Sequence, residues 1–175
     1  MSLGLLELLQ HAVRMEDDGR AYYLDVAGKT SNGLAKTTFS VLAEEEAKHR
    51  RYFESYYEAM EKAQGWPDLC EMKAESVDAA KRAENVYTKA AAAHALSPDD
   101  VNLTVAYNHA MDLEVKTIAF YQDMVAAAED AQVGEFLQFV IGQEREHLDI
   151  LTHTLDMLDN PEAWYFDREG WIVEG

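Results

Sequence analysis

The sequence is poor in cysteine, proline and positive charge, and it has no long apolar run. Cys70 is its one cysteine. A single thiol excludes an internal disulfide framework, a four-cysteine zinc site and a rubredoxin-type iron site within this chain. It fits a reducing, cytoplasmic location. Lys and Arg number 15 against 33 Asp and Glu, a formal net charge of −18. Such a surface repels the phosphates of nucleic acid and the anionic face of a membrane, so neither is an expected partner. No stretch approaches the roughly 18 apolar residues that a membrane span needs. The opening residues lack the order of basic segment, apolar core and small-residue cleavage site that marks a signal peptide.

What is present is 175 residues with 48% hydrophobic content, enough for one domain with a real core. Between the prolines at 67, 98 and 161 the chain is rich in Ala, Leu, Glu and Lys, the strong helix formers. No period-2 alternation is sustained, so the fold class is all-α. Long helices are expected over about 3–27, 34–64, 98–129 and 132–158. Gly28 and the Ser31-Asn32-Gly33 cluster break the first pair. Gly65-Trp66-Pro67 stops the second helix, and Ser97-Pro98-Asp99-Asp100 carries the start signals of the third. Residues 65–96 form a long crossover with an extra helix at about 76–93. Short turns within each pair and one long connection between pairs give a ferritin-like antiparallel four-helix bundle over residues 1–158. The tail, 159–175, carries Trp164, Tyr165, Phe166 and Trp171. Four exposed aromatics would make a large apolar patch, so the tail is expected to pack on the bundle or on a second subunit.

The chain repeats itself weakly at an offset of 98 residues. His11 falls on His109, Glu16 on Glu114, Tyr23 on Tyr121, Glu46 on Glu144 and His49 on His147. At about 100° per residue, Glu16 and Tyr23 lie on one stripe of their helix, as do Glu114 and Tyr121. Glu46-Ala47-Lys48-His49 and Glu144-Arg145-Glu146-His147 are both Glu-x-x-His. An i,i+3 pair projects both side chains from neighbouring points of one helix face. Each half therefore offers one Glu from one helix and a Glu-x-x-His from the next. Four carboxylates and two imidazoles around one point balance two divalent ions, and without metal such carboxylates are costly to bury or take up protons. The oxygen and nitrogen donors suit iron, and the same ligands accept manganese. In this reading Glu46 and Glu144 bridge the ions, Glu16 and His49 complete one site, and Glu114 and His147 the other. Tyr23 and Tyr121 donate hydrogen bonds to the carboxylates.

The two Glu-x-x-His motifs, each with a Glu thirty residues upstream, resemble the diiron site of rubrerythrins and other ferritin-like proteins. The strings Glu16-(x6)-Tyr23 and Leu42-Ala43-Glu44-Glu45-Glu46-Ala47-Lys48-His49 resemble the rubrerythrin version most, over about residues 5–60 and 100–158. The resemblance implies a non-haem diiron oxidoreductase that reacts with hydrogen peroxide or oxygen, as a homodimer. A ferroxidase or iron-handling role, or a non-catalytic helical scaffold, are the alternatives. Rubrerythrins typically add a rubredoxin domain, which the single cysteine excludes here, so electrons are expected from an external donor protein. Rubrerythrin peroxidases carry a further carboxylate one turn from the third-helix Glu; here Met111 and Thr117 stand three residues either side of Glu114. Ala47 replaces the haem-binding Met of bacterioferritins, so no haem is implied.

Other polar residues read as structural. His11 and His109 sit about 500° before Glu16 and Glu114, off the ligand face. Asp25, Asp123, Glu44, Glu45 and Glu146 read as solvated charges, His94 and His153 as solvated imidazoles, and Cys70 as an inert thiol.

Overall fold

The computed structural model describes residues 4–76 and 102–159. All regular structure among them is helical: α1 Leu5–Lys29, α2 Gly33–Glu61, α3 opening at 69 and described to 76, α4 Leu103–Ala127 and α5 Ala131–Asp159. No helix among the described residues is long and apolar enough to cross a membrane. The expected ranges 77–93 and 160–175, and the start signal at Ser97-Pro98, lie outside the described residues.

α1 packs chiefly on α2 and α4 on α5, with lighter α1–α4 and α2–α5 contacts. Side-chain pairs fix the directions. Along α1 and α4, His11 meets Phe120, Tyr121 reaches Glu16, Tyr22 meets His109 and Tyr23 reaches Glu114. The early α1 residues 11 and 16 meet 120 and 121, and the later 22 and 23 meet 109 and 114, so the two helices are antiparallel. α2 and α5 run antiparallel by the same test, with Tyr52 on Phe139, Phe53 on Phe136 and His49 on His147. This is an all-α bundle of the ferritin-like kind.

The two hairpin turns are built alike. Asn32 Oδ1 accepts from the Ala35 amide at 3.0 Å, and Asp130 Oδ1 accepts from the Gln132 amide at 2.8 Å. These residues are equivalents under the 98-residue repeat, and each satisfies an otherwise unpaired amide at a helix start. Asn102 caps α4 in the same way, accepting from Val105 N at 3.2 Å.

Boundaries differ from the sequence expectation for local reasons. α4 begins at Leu103, not at about 98, because Asn102 is its extended, side-chain-bonded cap. α2 ends at Glu61, not at Gln64. Ala63 adopts φ 49°, and the amides of Ala63 and Gln64 return to the Met60 and Ala59 carbonyls. That is a left-handed helix end usually made by glycine, here made by alanine. α3 begins at 69, ahead of the expected 76, because Asp68 caps it: its Oδ1 accepts from Cys70 N at 2.8 Å.

The core falls into two apolar clusters. One gathers Leu9, Phe53, Tyr56, Tyr121, Phe136 and Leu137; the other gathers Tyr23, Phe39, Leu42, Tyr107 and Leu151. Between them lies a band of buried charged side chains.

Candidate metal centre

Each of the four bundle helices contributes to that band. Glu16 comes from α1, Glu46 and His49 from α2, Glu114 from α4, and Glu144 and His147 from α5. All six are buried, Glu144 completely. One ligand atom from each of Glu46, His49, Glu144 and His147 lies within 4.8 Å of the other three. The remaining two carboxylates flank this group. Glu16 Oε2 is 3.7 Å from His49 Nδ1, and Glu114 Oε1 is 3.6 Å from His147 Nδ1. The geometry thus gathers Glu16 with His49 and Glu114 with His147, and sets Glu46 and Glu144 between them.

The closest approaches also respect the repeat. His49 Nδ1 is 2.9 Å from Glu144 Oε1, and His147 Nδ1 is 3.2 Å from Glu46 Oε1 and from Glu144 Oε2. The imidazole rings stack at 5.2 Å. These atoms are close without being aligned for hydrogen bonds. Glu16 Oε2, both Glu144 oxygens, His49 Nδ1 and His147 Nδ1 have no hydrogen-bond partner among the described residues. Buried polar atoms are normally satisfied. Here they converge on one space instead of on each other, and they are oxygen and imidazole nitrogen donors. This set fits two divalent cations, whose +4 would offset four carboxylates.

The electrostatics of the bare cluster show the strain that cations would relieve. Burial, then the neighbouring Glu144 and Glu16, hold the Glu46 carboxyl well above its usual range. Burial and Glu144 push Glu114 up to about 7. Burial works against protonated His49, but Glu144 and Glu16 outweigh it and raise the imidazole to about 9. His147 is raised in the same way by Glu114, Glu144 and Glu46, against its burial. Glu144 is the exception: burial opposes its charge, yet His49 and His147 hold it ionised. The bare cluster therefore gathers protons.

Both tyrosines touch this cluster, each across the repeat. The Tyr23 hydroxyl donates to Glu114 Oε1, and the Tyr121 hydroxyl donates to Glu16 Oε1. Burial first, then the carboxylate it bonds, keeps each phenol well above its ordinary value, so both remain donors. Shared stripes alone do not reveal which Glu each Tyr serves. The antiparallel α1–α4 register does.

A cleft of about 150 Å³ opens between α1 and α4 onto Glu16, Glu46, Glu114 and Tyr23, with Gly19 and Thr117 also lining it. Gly19 and Thr117 are repeat equivalents, each three residues after a cluster Glu. A Cβ built on Gly19 would lie 3.8 Å from Glu46 Cδ. Sequence reasoning did not single out Gly19. Its signal was a glycine within a helix, one turn from Glu16.

The residues set aside as structural stand apart from the cluster. His11 and His109 are exposed and pack edge-on against Phe120 and Tyr22. Asp25 is exposed and paired with Lys29 at 2.7 Å. Asp123, Glu44, Glu146 and His153 are exposed, as is Cys70, while His94 lies outside the described residues. Glu45 departs from expectation. It is buried, because Lys48 folds back to bind both of its oxygens at 2.7 and 2.9 Å.

The sequence matches the family model described as Rubrerythrin over residues 7–155. Among curated proteins none matches significantly. Among solved structures, the chain is similar to a Thermotoga maritima protein described as a ferritin-like diiron-carboxylate protein. The identity is 21%, the match covers 91% of this chain and 97% of the other, and the TM-score is 0.62. That likeness speaks for the fold alone. The family match takes in all six Glu and His residues of the cluster, and by it the chain belongs to the rubrerythrin family.

Proposed function

We propose that this protein is a non-haem diiron oxidoreductase whose reduced centre is oxidised by hydrogen peroxide or oxygen. The observation that carries the reading is the buried, convergent set of carboxylate and imidazole atoms without hydrogen-bond partners among the described residues. Two iron ions held there, by Glu16, Glu46, His49, Glu114, Glu144 and His147, would supply the two electrons that reduce the oxidant. The same ligands accept manganese.

The rest is the work of the chain. The α1–α4 cleft admits a molecule the size of peroxide to the carboxylate side of the cluster. The imidazoles close the α2–α5 side. Tyr23 and Tyr121 fix the orientation of Glu114 and Glu16 and leave their second oxygens for metal. The flanking apolar clusters exclude bulk water. Electrons return from a separate donor protein, and the expected assembly is a homodimer.

The test starts with metal content. Protein purified without chelator is expected to hold about two iron ions per chain, with loss in Glu46→Ala and Glu144→Ala. Peroxide should then oxidise the reduced centre faster than free ferrous ion in stopped-flow. Protein that stays empty when supplied with ferrous ion anaerobically would overturn the reading.

One observation favours a second role, oxidation of incoming ferrous ions for storage or transfer. The cleft is lined by Glu16, Asp18, Glu46 and Glu114 against the single cation Lys116, a net acidic approach for a metal ion. Repeated rounds of ferrous oxidation with iron released or accumulated would favour it; a single round that leaves the two ions in place would favour the oxidoreductase.

A further inference from the structure

Trp66, just beyond the end of α2, is joined to Tyr121 at the cluster by an unbroken series of ring contacts. Trp66 stacks on Tyr56, centroids 5.5 Å apart and planes 19° apart. Tyr56 lies nearly face to face with Phe136 at 3.9 Å and 11°. Phe136 meets Phe53 edge-on at 5.1 Å, and Phe53 meets Tyr121 at 4.8 Å. The inner end is bonded to a carboxylate, Tyr121 to Glu16. So is the outer end: the Trp66 indole N–H donates to Asp130 Oδ2 at 2.9 Å. A readily oxidised ring with a proton acceptor stands at each end.

Aromatic contacts are common in cores, where offset and edge-on pairs at about 4.5–7 Å are the preferred arrangements. Two features go beyond that. The Tyr56–Phe136 pair is closer and flatter. And the repeat, which copies the six cluster residues and both tyrosines, does not copy the series: the equivalents of Phe53, Tyr56 and Phe136 are Leu151, Thr154 and Thr38. From Tyr23 the ring contacts lead to Phe39 and then to fully buried Tyr107. They lead also to Tyr22, whose hydroxyl donates to the Ala106 carbonyl, a group that does not take up a proton. Only the Tyr121 arm runs, among the described residues, to an indole bonded to a carboxylate.

We infer that Trp66, Tyr56 and Tyr121 form a relay that carries oxidising equivalents from the cluster to the surface, where a small thiol quenches them. The inference rests on the proposed redox role of the centre, with peroxide as the source of the oxidising equivalent. Tyr121, oxidised by one electron, has passed its phenolic proton to Glu16. Trp66 loses one electron, and its indole proton goes to Asp130 and on to water. Tyr56 is the intermediate station: it loses one electron and gives its phenolic proton to water, then takes back one electron and one proton; Phe53 and Phe136 bridge the rings and are not oxidised. Tyr121 recovers the electron together with the proton from Glu16. The neutral Trp66 radical then takes a hydrogen atom from the thiol.

The test has an arm that needs no metal. Cys70 is exposed and unique, so a ruthenium photo-oxidant attached there can oxidise Trp66 by flash photolysis in metal-free protein. The indole radical should give way to a tyrosyl signal, and that conversion should be lost in Tyr56→Leu and retained in Tyr57→Leu. Unchanged conversion in Tyr56→Leu overturns the relay. In the second arm, iron-loaded protein is treated with peroxide and its peptides are analysed by mass spectrometry. Oxidation should collect at Trp66 in the wild type and shift towards Tyr121 in Tyr56→Leu and in Asp130→Asn, which keeps an acceptor but cannot hold the proton. If Tyr56→Leu fails to fold by circular dichroism, Trp66→Phe replaces it in this arm, where oxidation should again shift to Tyr121; no shift overturns the relay. Protein that binds no iron fails the diiron reading at the loading step, while the photolysis arm still decides the relay.

Discussion

The Tyr23 hydroxyl on α1 is bonded to the Glu114 carboxylate on α4, and Tyr121 on α4 returns the same bond to Glu16 on α1. The two halves of the repeat therefore lock each other. Each phenol occupies one oxygen of a cluster carboxylate; Glu16 turns its other oxygen towards His49, whereas Glu114 faces His147 with the same Oε1 that Tyr23 bonds. Removing either hydroxyl frees its carboxylate to rotate. Tyr23→Phe and Tyr121→Phe are each expected to weaken metal retention by about 10–100-fold, the usual effect of losing a hydrogen bond to a metal ligand. Competition with a calibrated chelator measures it. Unchanged retention in both variants would reduce the tyrosines to space-filling.

The metal-free protein should lose stability as pH rises. Glu114 has an ordinary value of 4.5 and is held at about 7 by burial and Glu144. Its contribution is whole below 4.5 and lost as pH passes about 7. His49 moves from 6.5 to about 9 because Glu144 and Glu16 outweigh burial, so its contribution is whole below 6.5 and lost as pH passes about 9. Both groups bind protons more tightly in the folded chain, which fixes the sign. Glu144, held low by the imidazoles against its burial, acts in the opposite sense only in acid below its ordinary 4.5. Thermal melts of metal-free protein should therefore fall between about pH 5 and pH 9, while metal, which displaces these protons, flattens the curve. A metal-free melting temperature that rises over this range would contradict the arrangement of charges.

The cluster was legible in the sequence because its spacings are local. Glu-x-x-His fixes two side chains on one turn, and the repeat at Glu144 and His147 makes chance agreement improbable. The bundle was legible through its breaks at 28–33 and 130–131. What the sequence hides is register between helices. Tyr23 shares a stripe with Glu16 yet serves Glu114, a pairing set by how α1 and α4 slide past each other. Glu45 hides for another reason: in the run Glu44-Glu45-Glu46 only the helical phase separates a solvated, a paired and a cluster carboxylate. Asp68 follows the stop signal Gly65-Trp66-Pro67 directly, where a helix start is masked, yet it caps α3.

The Glu45–Lys48 pair is itself a test of what burial costs. Both side chains are about a tenth exposed, 9% and 10%, and held at 2.7 Å. Lys48→Met strands a buried carboxylate and should cost about 3–5 kcal/mol, as breaking a buried pair does. Adding Glu45→Gln should recover most of that, since it is the unpaired charge and not the missing attraction that is expensive. Denaturant unfolding of the two metal-free variants gives both numbers. Equal stability of the single and double variants would place Lys48 as solvated in solution.

Gly19 sets stability against access. It lies inside α1 with ordinary helical backbone, where glycine is about 0.5–1 kcal/mol less stable than alanine. The Cβ of Gly19→Ala would meet Glu46 Cδ at 3.8 Å, ordinary contact that needs no rearrangement. Gly19→Ala should therefore raise stability by about 0.5–1 kcal/mol. The chain forgoes this gain at the point where the cleft reaches Glu46. A longer side chain would extend into that space, so Gly19→Leu should keep its iron and lose much of its rate with peroxide. Thr117→Leu, at the equivalent position on the facing helix, should act in the same direction. Metal content measured beside stopped-flow rates separates blocked access from a damaged centre. A Gly19→Leu protein that is fully loaded and fully active would show that the oxidant arrives by another route.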